Sequence, residues 1–194
     1  MINLQDLIGK EVMSANAKLV GKVDGAAVDV KTWHVPAISI TISKGNEAFL
    51  NKKKKVISSQ GAFVKVESIR SIKDHVMLSE DLENMANLIL EDFKAPVALS
   101  DMMGDRVLCK AGREIGTVYG FQVDNEGGWN VPYMEVLVDK ASMEELNVKK
   151  KFGKKPIIVL RTSDIKNVAD VILLDIEIEQ VKQFLDNKPV ARVR

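Results

Sequence analysis

The sequence predicts a mainly β protein of the α+β class, built as two tandem small β-barrels that are each followed by a helix. Three observations lead there. The chain contains itself twice: LQDLIGKEVMSANAKLVGKVDGAAVD, beginning at Leu4, aligns without gaps on LSDMMGDRVLCKAGREIGTVYGFQVD, beginning at Leu99. Each copy is rich in Val and Ile at the short period of strands, bounded by Gly, Asn and Lys. Each copy then runs into a stretch whose apolar residues recur at helical spacing.

In chain order, the first copy opens on Leu4 to Val12, where Gly9 corresponds to Gly104 and Val12 to Val107. KLVGKVDGAAVDV reads as a strand, and VDVKTWHVPAISI as its end, a tight turn and a second strand; TVYGFQVDNEGGWNVPYMEVLV repeats this hairpin. Gly21, Gly25, Gly116 and Gly120 lie inside the strand pattern, where glycine marks a bulge or sharp bend, and small barrels need bends to close. One extra residue in the second copy brings Trp33 to Pro36 onto Trp129 to Pro132. ESIRSIKDHVML and SDIKNVADVILL match as a closing strand pair.

Between the copies, Leu82, Met85, Ala86, Ile89 and Phe93 of SEDLENMANLILEDFKAP predict an amphipathic linker helix, with Ser79 as N-cap, Glu80 and Asp81 in the first turn and Pro96 beyond the end. IEIEQVKQFLDN predicts the second helix. The expected organisation is a barrel over residues 1–79, a linker helix over 80–95, a barrel over 96–175, and a helix and tail over 176–194. Copies of about 80 residues sit where burial is marginal, so each should lean on its twin or on another chain.

Composition narrows the function. The 194 residues are 46% hydrophobic and 28% charged, which is the profile of a soluble globular protein. Twenty-eight Lys and Arg against 27 Asp and Glu leave a net charge of +1, and aromatics are only 5%, so a nucleic-acid partner is disfavoured. The lone Cys109 forms no internal disulfide and suits a reducing cytoplasm. MINLQDLIGKEV has no basic segment followed by a long apolar stretch, so neither a signal peptide nor a transmembrane anchor is expected.

The repeated motif resembles the PRC-barrel family: a hydrophobic residue, Ile and Gly, then Gly-x-(Ile/Val)-Gly-x-Val, a strand ending in Asp, a turn, a hydrophobic strand and a closing pair. That resemblance spans nearly the whole chain as two tandem domains. It implies a small barrel that mediates interactions and is not itself an enzyme. Stand-alone archaeal members, some of which act in cell division through the FtsZ anchor SepF, are the nearest fit. The alternative is a role like that of the ribosome maturation factor RimM, whose C-terminal domain is such a barrel but whose N-terminal domain is a different one.

No catalytic residue, metal ligand or cofactor is assigned. His34 aligns with Asn130 and His75 with Val171, so neither belongs to the repeated constellation. Cys109 aligns with Ser14 and has no motif to activate it. Asp29 and Asp124 recur where a strand meets a turn, and are expected to bond the backbone there.

The candidate partner-binding residues are Trp33 and Trp129 with the lysine runs Lys52, Lys53, Lys54 and Lys55, and Lys149, Lys150 and Lys151. Each tryptophan is either an interface anchor or a turn-packing residue. The lysine loops either solubilise and blunt a sheet edge or steer an acidic partner. Acidic residues gather instead on the linker and after the second copy, which would allow head-to-tail self-association.

Overall fold

The computed structural model describes residues 1–46, 61–90, 93, 97–148 and 156–186. The fold is mainly β. Two compact units form, Met1–Asp101 with Val123–Asn130, and Met102–Gln122 with Val131–Arg194.

The first unit opens with β1 (Ile2–Asn3), one turn of helix α1 (Leu4–Leu7) and β2 (Glu11–Met13). Then come the long strands β3 (Leu19–Asp29) and β4 (His34–Ile42), which form the central hairpin. β5 (Gly61–Lys65) lies on β4, and β6 (Ile69–Ile72) and β7 (Val76–Leu78) join the sheet by a parallel pairing of β7 with β2. The order across the sheet is β5, β4, β3, β2, β7, β6.

Why these residues bend is clearest at Gly21. A methyl there would overlap the backbone carbonyl of Thr41 across the hairpin, and the strand register shifts between Val12 and Met13 opposite it. A second shift falls between Val23 and Gly25. Past that bulge β3 loses its alternation, and Gly25, Ala26, Ala27 and Val28 are all buried. The turn at Gly9, in the left-handed region at φ +84, donates its N–H to the Val23 carbonyl and locks the opening segment onto β3. The core comprises Val12, Val28, Val35, Ile38, Ile40, Val64 and Leu78, all with no exposed surface.

The second copy returns the same elements. β8 (Val97–Ala98) and a 3-10 turn at Leu99–Met102 precede β9 (Arg106–Leu108), β10 (Glu114–Asp124) and β11 (Asn130–Val138). After α2 (Lys140–Glu145) come β12 (Ile157–Arg161), β13 (Ile165–Val168), β14 (Ile172–Leu174) and α3 (Ile178–Asp186). β14 runs parallel to β9, as β7 does to β2. Gly104 bonds the Val118 carbonyl as Gly9 bonds that of Val23, and a methyl at Gly116 would overlap the Leu137 carbonyl.

The linker differs from the helix expected over 80–95. Among its described residues it winds as a 3-10 helix over Leu82–Leu88, and its N-cap is Asp81, whose side chain makes no capping bond, instead of Ser79. Leu82, Met85 and Leu88, three residues apart, are buried together, as suits a 3-10 helix, which stacks residues i and i+3 on one line. Glu83 pins this turn to the first copy, ion-paired to Lys18 and accepting from Asn16 at 3.1 Å.

Candidate protein-interaction site

At the tip of the first hairpin, Asp29 organises the turn. Its backbone carbonyl accepts from Trp33 at 2.6 Å, and its carboxylate accepts the Lys31 N–H at 2.9 Å and the Thr32 hydroxyl at 3.1 Å. The Lys31 amide bond holds the Asp29 carboxyl below the usual range. Asp124 repeats the arrangement, accepting from Trp129 through its carbonyl and from Gly127 through its carboxylate. Both aspartates therefore hydrogen-bond the backbone, the turn role read from their position.

Trp33 and Trp129 each adopt φ +57, a left-handed conformation that bulky side chains rarely occupy. Both turns lie in the first unit, because Val123–Asn130 belongs to it. There the two tips join: His34 pairs antiparallel with Asn130, and Val35 donates its N–H to the Trp129 carbonyl at 2.7 Å. The Trp33 side chain is buried and that of Trp129 half-buried. The same unit takes in β8, whose Ala98 and Val97 pair with Ala27 and Val28 of β3.

Lys52, Lys53, Lys54 and Lys55, and Lys149, Lys150 and Lys151, lie outside the described residues. His34 sits at the tip and His75 lies 3.8 Å from Glu11 near the surface, while Cys109 is buried. Among the described residues no group of three or more His, Cys, Asp or Glu is placed to hold a metal ion. No helix among them is long and apolar enough to cross a membrane.

The two copies differ at one sheet edge, and the repeat pattern in the sequence did not reveal it. In the first copy the outer edge of β5 is covered: Val64 bridges to Ile89, Leu90 donates its N–H to the Phe63 carbonyl at 2.9 Å, and the Phe93 ring meets Phe63 edge-on at 5.0 Å. In the second copy β12 pairs with β11, with Val159 opposite Glu135, and among the described residues no strand lies on its other side. Val159, the counterpart of Phe63, is 44% exposed. The signal that could have pointed here is the loss of the aromatic, since Phe93 has Pro189 as its counterpart in the second copy.

Residues 1–85 match the PRC-barrel domain. No curated protein matches. Among solved structures, a 16S ribosomal RNA processing protein RimM from Pseudomonas aeruginosa, so named provisionally, is similar at 12% identity and a TM-score of 0.30, covering 81% of this chain and 98% of its own. At that score the likeness carries no weight for function.

Proposed function

We propose that this protein is a non-catalytic, cytoplasmic protein–protein interaction adaptor. The observation that supports this reading is that residues 1–85 match the PRC-barrel domain while the second half of the chain, which repeats that sequence, carries corresponding strands. Two linked binding modules bridge two partners or raise avidity through effective concentration. Hydrophobic contacts supply affinity, while the lysine runs Lys52 to Lys55 and Lys149 to Lys151 steer acidic surfaces toward the protein. Trp33 and Trp129 hold the shape of the hairpin tips, and the exposed part of Trp129 is available to a partner. In its most specific form, resting on the resemblance to the archaeal group, the partner is a SepF-type division protein.

Crosslinking and mass spectrometry in the source cell test the reading. The expected result is crosslinks to protein partners from the lysine runs or sheet edges, with division proteins among them. Recovery of ribosomal particles alone, lost steeply with salt, would replace it with a ribosome-assembly role.

A further inference from the structure

Both copies carry the same edge strand, and the first shows what its outer side accepts. Phe63 faces away from β4, since its carbonyl receives the Leu90 N–H. The linker reaches it where Ile89, in extended conformation, pairs with Val64, and the Phe93 ring lies on Phe63. Backbone pairing and a ring contact thus act together.

The second copy presents the same edge strand; α3 packs against β12, but among the described residues no strand pairs with its outer side. Val138 donates its N–H to the Pro156 carbonyl, so by antiparallel alternation Ile158 and Leu160 bond inward to β11. The backbone groups of Val159 then face outward, at the position of Phe63. The chain that could have covered them does something else: the counterparts of Ile89 and Leu90 are Leu185 and Asp186, whose backbone is the end of α3. An edge that carries no strand among the described residues, with an exposed aliphatic at its centre, is a template for strand addition.

We propose that the outer edge of β12 is a docking site for an extended segment of a partner protein, carrying two adjacent aliphatic residues and an aromatic three positions after the second. That is the chemistry which covers β5. The partner segment pairs its backbone with Val159 and lays its aromatic ring over the Val159 side chain. This proposal rests on the adaptor reading and gives it a site.

The probe is a labelled peptide of residues 86–96, ANLILEDFKAP, titrated into the full chain by fluorescence anisotropy beside a scrambled control. Saturable binding of the peptide alone is expected. Val159→Pro removes the outward N–H while sparing the bonds to β11, and Val159→Lys keeps that N–H but puts a charge under the ring. Each is expected to weaken binding about tenfold or more. Val159→Lys, at an exposed position, tests the site should the proline variant fail to fold. Binding that neither substitution alters, or no binding to the wild-type chain, overturns the proposal. Binding only after deletion of residues 187–194 would overturn it too, by assigning the edge to the chain's own tail. Should the peptide fail while crosslinking still recovers protein partners, the β12 site falls and the adaptor reading stands.

Discussion

Three kinds of residue carry the special geometry of each barrel: glycines under a crossing strand, glycines at positive φ, and a tryptophan at positive φ. Gly21 and Gly116 are the first kind, each with a backbone carbonyl where a side chain would begin. Gly21→Ala and Gly116→Ala are each expected to lower stability by about 1–3 kcal/mol, as overpacking does, measured by urea denaturation. Trp33 and Trp129 are the third kind, and glycine in their place relieves left-handed strain of roughly 1–2 kcal/mol. Trp33→Gly also removes a buried ring, whereas Trp129→Gly removes a half-buried one. Trp33→Gly is therefore expected to be the more destabilising of the two, and a midpoint for Trp129→Gly below that of Trp33→Gly would contradict this. The glycines could be read from the sequence as bends, because glycine in a strand has few other uses. The backbone state of the tryptophans could not, since nothing in WHVP or WNVP marks a left-handed residue.

At the scale of elements, the linker is where local pattern and packing diverged. Its apolar residues fit an α-helical stripe as well as a spacing of three, and the outcome depended on β5 offering an open edge to Ile89 and Leu90. Phe93→Ala removes the ring contact on Phe63, worth about 0.5–1.5 kcal/mol, and should speed hydrogen exchange at the Leu90 amide ahead of global unfolding. Glu83 ties the other end of the linker down. Its pKa is lowered, chiefly by the hydrogen bond from Lys18, so its contribution is present above the ordinary glutamate value of 4.5 and is lost as pH falls through the lowered one. Glu83→Gln should accordingly melt slightly below wild type at neutral pH, with the gap closing in acid, as pH falls through the lowered pKa of Glu83. A gap that persists in acid would show that packing, not charge, sets the effect.

For the molecule as a whole, the repeat in the sequence and the compact units in space do not divide the chain at the same places. Val123–Asn130 belongs to the second copy by sequence and to the first unit by contact, and β8 adds to β3. A fragment ending at residue 95 keeps all of the first copy's own strands but loses β8 and the pairing of His34 with Asn130. It is expected to melt well below the full chain, because a domain of about this size has little burial to spare. A fragment as stable as the whole would show that the borrowed strand and hairpin tip contribute little.

The mainly β class, the two hairpins and the closing strand pairs were legible from residue order alone, because period-two runs of Val and Ile and strand glycines are local signals. The turn role of Asp29 and Asp124 was legible for the same reason. Only the tertiary structure decided that the linker would be a short 3-10 turn followed by an edge-covering segment. It alone decided that the tips of the two hairpins would join and that, among the described residues, no strand would pair with the outer edge of β12 while Ile89 and Leu90 cover that of β5. Pairing between strands is set by which backbone edges remain open once the long strands have folded, and that is a property of the assembled sheet, not of any stretch of sequence.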